Sequence, residues 1–320
     1  MEKLTIKQAL YDQKSLWIMA IYFILTFYYL GVFYSINTCI YLEIAKIHQN
    51  FSDFMYLLHA VTRIIYSFPM FLMLLSTLGL LWFKPKVFPF WAIWLSILMS
   101  AISILSTIFI ILPIETELSL HGFTSELNQS LLKSSFYYQI IPALIQSLLA
   151  FYLLNIYLKD TKFVGRWIFI IIFTFSYITL GTSQIEGFLN YPLWLTVDAA
   201  DWTSFRQVII DISESPVLPI IAILPLLLII PMFWWRPKAI PKMAVILYGL
   251  TLFWIIGITI IYFVPDLQIP LNKENTKSMI EELMTNDFRY RVLFALGYFI
   301  SPVWMFLKIG NHQINENITQ

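Results

Sequence analysis

Charge is scarce in this sequence. Asp, Glu, Lys and Arg make up 12% of its 320 residues, against 59% hydrophobic residues, whereas a soluble domain carries about 25% charge. A soluble fold of this composition would expose more apolar surface than water tolerates, so lipid is the natural solvent. The net charge of only +1 excludes bulk electrostatic attraction to nucleic acid. A single cysteine, Cys39, rules out an intrachain disulfide, a CxxC redox pair and a Cys-based zinc site. It reads as a small buried residue near a helix end. No cleaved signal peptide is expected. The first apolar run, Ser15 to Ile36, is too long for an h-region and lacks a small-residue cleavage site, and Ile36-Asn37-Thr38 is no lipobox. None of the four histidines falls inside an apolar run, which excludes paired-His haem ligation within a membrane. HExxH, Walker A and GxGxxG patterns are missing. No run carries the repeated basic residues of a voltage sensor or a filter-like motif. No cofactor is expected. No metal site is read either, since His48 and His59 stand 11 apart, which is no ligand spacing.

What the sequence does contain is long apolar runs, each near the ~20 residues a helix needs to cross the hydrocarbon core. Eight can be marked: Ser15–Ile36, Ile64–Phe83, Val87–Ile114, Ser134–Leu158, Trp167–Ile185, Ser215–Trp235, Met243–Pro265 and Val292–Leu307. The last is short and contains Pro302, with Arg291 and Lys308 placed to snorkel at its ends. Lipid forces backbone polar groups to pair internally, and continuous rather than alternating runs exclude a β-barrel. The expectation is an all-α integral membrane protein with eight transmembrane helices. Connections alternate in charge. One set holds 12 of the 20 basic residues and four of the 19 acids. The positive-inside rule puts that set, and both termini, in the cytoplasm of a plasma membrane, or of the inner membrane in a bacterium. Residues 37–63, 115–133, 186–214 and 266–291 then face outward.

The chain repeats itself. Phe83-Lys84-Pro85-Lys86-Val87-Phe88-Pro89 returns 152 residues later as Trp235-Arg236-Pro237-Lys238-Ala239-Ile240-Pro241. The same offset relates Pro113 to Pro265, Phe136 to Phe288 and Tyr138 to Tyr290. At 150, Trp17 matches Trp167, Leu30-Gly31 matches Leu180-Gly181 and Tyr41 matches Tyr191. Apolar helices share Leu and Ile by composition, so the Pro, Gly, Trp and Lys matches carry the inference. Residues 1–160 and 161–320 read as two copies of a four-helix unit. With an even number of spans each, they form a parallel repeat, an arrangement that places a cavity between the halves. The first outer loop of each copy is partly amphipathic, around Phe51 to Ile65 and Trp202 to Ile212, and reads as a short interfacial helix capping the bundle or closing over a site. Pro113 and Pro265 read as helix stops, and Thr124-Ser125 as the cap of a short helix within the loop that follows the first of them.

Glu186 is the one acid at the edge of an otherwise apolar span, in Gln184-Ile185-Glu186-Gly187. A carboxylate at membrane depth is expensive and marks a functional candidate, and desolvation suits it to proton transfer. Its counterpart in the first copy is Ile36, so the acid is asymmetric. Asn190, Tyr191, Asp198, Asp201 and Arg206 cluster after it, and Glu43, Lys46, His48 and His59 occupy the corresponding loop of the first copy. Glu186, Tyr191, Asp198, Asp201 and Arg206 are the catalytic candidates. Gln184, Asn190, Glu43, His48 and His59 are the ligand-binding candidates.

Three features carry a resemblance: Gly31 and Gly181 past the middle of each first span, Pro113 and Pro265 closing each third span, and Asp287-Phe288-Arg289-Tyr290-Arg291 entering the last. In this layout each copy resembles the anthrone-oxygenase-like family of small four-helix membrane proteins, although Ser135-Phe136-Tyr137-Tyr138 lacks the Arg. The resemblance implies a cofactor-free oxygenase acting on lipophilic or aromatic substrates, and transfers no catalytic residue. Three readings stay open. One is a membrane-embedded, oxidoreductase-like enzyme with an outward-facing site. Another is a transporter or lipophilic-ligand binding protein with a cavity between the repeats. The third is an accessory subunit of a membrane complex. The partners expected are the lipid bilayer and a lipophilic small molecule, with no nucleic acid.

Overall fold

The computed structural model describes residues 2–213, 217–273 and 276–319, and no strand occurs among them. Among the described residues, seven helices are long and apolar enough to cross a membrane: α1 (Tyr11–Lys46, helical from Glu2), α2 (Phe51–Phe83), α3 (Phe90–His121), α4 (Ser125–Tyr157), α5 (Phe163–Trp194), α8 (Lys242–Leu271) and α9 (Lys277–Glu316). Between α5 and α8 lie α6 (Ala199–Ser213) and the 19-residue apolar α7 (Val217–Trp235). The expected span Ser215–Trp235 begins outside the described residues. The fold is that of an all-helical, multipass membrane protein.

Helices run well past the expected spans. At 1.5 Å per residue the 33 residues of α2 measure about 50 Å, against a hydrocarbon core of about 30 Å. The expected short interfacial helix of the first half is therefore a correction: Phe51–Thr62 is the N-terminal part of α2 itself. Residues 115–133, expected as an outer loop holding a short capped helix, are helix except for the break at 122–124 around Gly122 (φ +82°); the expected cap is there, Thr124 accepting from the Leu127 N–H at the start of α4. On α3 the lipid-facing stripe from Phe90 through Trp94, Leu98 and Leu105 to Phe109 covers about 29 Å, which matches one bilayer core.

Neither Pro113 nor Pro265 stops its helix. Five prolines, Pro69, Pro113, Pro142, Pro192 and Pro270, stand two residues beyond a π-helical segment: Arg63–Ser67, Thr107–Ile111, Phe136–Ile140, Glu186–Asn190 and Thr259–Gln268. Proline cannot donate to the carbonyl four residues back, and its ring crowds that carbonyl. In each case that carbonyl lies inside the π segment, where the bonding ladder is already displaced. Two of the released carbonyls find side-chain donors: Tyr28 Oη donates to Ile65 O at 2.8 Å, and Ser106 Oγ to Tyr138 O at 3.2 Å. The remaining π segments are Ile36–Ile40 and Phe288–Val292. Thus π segments begin at 36 and 186, at 107 and 259, and at 136 and 288.

Helices α1 and α5 pack side by side at the centre. Gly31 and Gly181 sit in this contact. A Cβ on Gly31 would lie 2.1 Å from Ile178 O, and one on Gly181 2.1 Å from Tyr28 O. Only glycine allows two backbones so close. The core divides along the bundle axis. At the end of the Lys/Arg-rich connections (84–89, 158–162 and 236–241), Tyr22, Phe23, Phe27, Phe173 and Phe306 pack together. At the opposite, acidic end, Phe33, Tyr41, Phe54, Leu189, Trp194 and Trp202 do so.

Candidate functional site at the acidic end

The last turns of α1, the N-terminal part of α6 and the ends of α5, α8 and α9 converge at the acidic end. Most sequence candidates meet there. Tyr191 is fully buried and donates to Glu186 Oε1 at 2.7 Å. The structure adds a partner that the sequence reading placed elsewhere. Arg291 does not snorkel; its Nη2 donates to Tyr191 Oη at 2.7 Å and stands 3.9 Å from Glu186 Oε1. Its Nε is bonded to Asp287 Oδ1, one helical turn back, and its guanidinium lies 4.3 Å from the Phe263 ring centroid. Glu186 is therefore not a lone carboxylate but one end of a Glu186–Tyr191–Arg291–Asp287 chain. The first half holds a neutral counterpart: Ser135 Oγ donates to Gln139 Oε1 at 2.8 Å, and Gln139 Nε2 to Tyr66 Oη and Thr107 Oγ1. Tyr41 donates to Glu115 Oε1 at 2.9 Å, and His59 Nε2 lies 3.5 Å from Glu115 Oε2.

Between these sets runs a seam that joins the halves. Arg206, 2% exposed, reaches in from α6. Its Nε donates to Asn272 Oδ1 and its Nη2 to Gln268 Oε1, both at 3.0 Å, and the guanidinium lies 4.5 Å from the Trp194 ring centroid. Trp202 Nε1 donates to Leu271 O at 2.7 Å and holds the same wall. Across the seam stands Glu43, 0% exposed. Burial draws the Arg206 guanidinium down to about 10, while Glu43, Tyr191 and Glu186 oppose the shift. Neither Glu43 oxygen meets a hydrogen-bond donor among the described residues, and Arg206 Nη1, Trp194 Nε1 and Asn190 Oδ1 are likewise unpartnered. Buried polar atoms are usually paired, so five such atoms in one region set it apart from the rest of the core.

The other candidates are structural or peripheral. Asp201 Oδ2 accepts the His48 and Gln49 backbone N–H groups at 2.7 and 2.9 Å, clasping the first half with an acid from the second. Asp198 Oδ1 accepts from Ala200 N at 2.9 Å at the start of α6. The His48 side chain is exposed, and Gln184 is half-buried at the helix edge. Among the described residues no group of three His, Cys, Asp or Glu side chains is placed to hold a metal ion. Residues missed in the sequence were Arg291 and Asp287, whose i,i+4 spacing was a usable signal, and Gln268, Asn272 and Trp194, which had none.

Beside the seam lies a groove of about 530 Å³, lined by Tyr34, Thr38, Leu42, Ala45 and Lys46 of α1 and by Val208, Asp211 and Ile212 of α6. Its walls come from both halves of the chain, and Leu42 and Val208 lie next to Glu43 and two residues from Arg206 in sequence. Fold and site together define a multipass membrane protein with a polar seam at one end. Compared with known proteins, the chain matches no family model, no curated protein and no solved structure.

Proposed function

We propose that this chain crosses the bilayer eight times as two tandem four-helix copies, with both ends cytoplasmic, and binds a lipophilic small molecule in the groove between the copies at the outer face. Supporting the duplication, π segments recur at offsets of 150, 152 and 152, close to those of the sequence matches. Gly31 and Gly181, equivalent at offset 150, meet each other's helices at the centre. The eighth crossing falls to α7, whose apolar length is marginal but which ends, like α2, at a Lys/Arg-rich connection. The observation that carries the functional reading is the groove itself. An apolar floor of Tyr34, Leu42, Ala45, Val208 and Ile212, with Lys46 and Asp211 at its rim, suits an amphiphile. A diazirine-bearing fatty acid in proteoliposomes should label peptides spanning 34–46 and 208–212, and Thr38→Trp should lower that labelling about tenfold. Uniform labelling of all lipid-facing helices, unchanged by Thr38→Trp, would sink the reading.

One arrangement favours the enzyme reading: Tyr191 lies between a carboxylate and a guanidinium, a geometry that moves a proton through its hydroxyl. An oxygenase of the kind the resemblance implies should take up oxygen with anthrone as probe. Glu186→Gln and Tyr191→Phe should each slow it by about 10²–10⁴-fold. No uptake by the parent protein, or equal uptake by both variants, would discard this reading.

A further inference from the structure

A second groove lies at the opposite, basic end, where α5 begins and α7 finishes. It encloses about 420 Å³ and is lined by Lys162, Phe163, Val164, Gly165, Trp234, Trp235, Arg236 and Lys238. We infer that it is a binding site for a membrane phospholipid with an anionic headgroup, the phosphate held by Lys162, Arg236 and Lys238 and the acyl chains running along α7.

The floor exists because α5 and α7 touch backbone to backbone: a Cβ on Gly165 would lie 1.9 Å from Trp235 O. Three cations ring it and no acid is among the lining residues. Arg236 is held in plane by its own backbone, Nε donating to Ile240 O at 3.0 Å and Nη1 to Phe233 O at 2.7 Å. Its Nη2 has no acceptor among the described residues, and neither lysine meets a carboxylate there. An oriented guanidinium with two free ammonium groups suits a phosphate.

Apolar surroundings point to a lipid rather than a soluble anion. Phe163, Trp234 and Trp235 are 67%, 71% and 57% exposed beside the cations, the combination found where headgroup meets hydrocarbon. From the groove, Trp234, Ile230, Leu227 and Ile223 form one exposed stripe at spacings of four, three and four residues. Eleven residues of helix cover about 16 Å, the depth of one leaflet's hydrocarbon. The first copy lacks this assembly. At offset 150 Asp12 takes the place of Lys162, and Lys84 is committed to Phe88 O at 3.0 Å and to the Phe90 ring. The lipid site needs only the basic end of the bundle and the membrane, and is independent of the groove at the acidic end.

The full chain in detergent, examined by native mass spectrometry with added phosphatidylglycerol or phosphatidylcholine, tests this. One phosphatidylglycerol should be retained at least tenfold better than phosphatidylcholine. Lys162→Gln and Lys238→Gln should each weaken retention about fivefold, whereas Lys84→Gln should not. A double Lys162→Gln, Lys238→Gln variant that retains the lipid like the parent overturns the proposal. So does displacement of the lipid by millimolar inorganic phosphate, which would assign a soluble anion. A second measurement needs no lysine variant. Phosphatidylglycerol brominated on its acyl chains should quench tryptophan emission saturably, and Trp234→Phe should remove most of that component. Quenching that does not saturate, or that survives Trp234→Phe, overturns the location.

Discussion

Gly181→Ala should cost about 3 kcal/mol or more, a loss of roughly 5–10 °C in Tm, although it adds only one methyl group. The added Cβ would meet Tyr28 O at 2.1 Å and Val32 N at 2.8 Å. These are backbone atoms of α1 and have no rotamer by which to retreat. The helices must separate, and the buried rings packed between α1 and α5, Phe27 edge-on to Phe173 among them, lose contact on both sides of the crossing. Gly31→Ala should cost as much, for its Cβ would meet Ile178 O at 2.1 Å. Two controls separate this from the general effect of altering glycine in a helix. At Gly257 nothing lies within 4 Å of a new Cβ, so Gly257→Ala should be neutral or stabilising by up to about 1 kcal/mol. At Gly79 the nearest atom is the Ile18 Cγ2 methyl at 3.3 Å, a side-chain atom that need give by only a few tenths of an ångström, and the cost should be small. Thermal unfolding of the four variants in one detergent checks the order. Equal stability of Gly181→Ala and Gly257→Ala would mean that the central crossing is looser than described.

The second large effect concerns Arg206. Arg206→Met should cost about 3–5 kcal/mol, the range for removing one member of a buried charge pair. Three things are lost together: the bonds to Asn272 and Gln268, the stacking on Trp194 and the cation that faces Glu43. Glu43→Gln should be much milder, about 1 kcal/mol in either direction, because neither Glu43 oxygen has a donor to lose. The two substitutions should not add. At alkaline pH, where the buried Glu43 carboxyl is ionised, Arg206→Met should be cheaper in a Glu43→Gln background by more than about 1 kcal/mol, since no uncompensated carboxylate remains. Denaturation of the single and double variants gives this coupling directly, and strict additivity would show that Glu43 and Arg206 do not sense each other.

The same residues show how far the sequence could be read. Apolar runs between Lys/Arg-rich connections located the helices, because lipid leaves a continuous hydrophobic stretch no other use. Gly31 and Gly181 were visible as a repeated pair, but not as two sides of one contact, since sequence says nothing about which helices are neighbours. Glu186 and Tyr191, five residues apart, were found together because a helix brings them together. Glu43 and Arg206 were both picked out, yet their facing across 163 residues of chain was not legible, nor were Gln268 and Asn272 as partners of the arginine. Pro113 and Pro265 were misread as stops. A proline inside a helix is normally disruptive, and the π segments that accommodate these leave no trace where every residue is apolar. The polar stretches 37–63 and 115–133 were read as outer connections holding separate short helices, whereas most of each continues a long helix, for a related reason: polarity there marks the end of the hydrocarbon, not the end of the helix.

Those π segments give the acidic end slack in chain length. Each holds one residue more than an α-helix needs for the same turn. Losing one residue from Thr107–Ile111 would close the segment into ordinary α-helix and leave everything beyond in phase, so that Glu115 keeps its buried place against Tyr41. In a helix without such a segment the same deletion would turn everything beyond by about 100°. A deletion in Ile36–Ile40 would likewise leave Tyr41 and Glu43 where they are. Each π segment is a spare link, and related chains that differ by one residue in these segments should present the same side chains to the same seam.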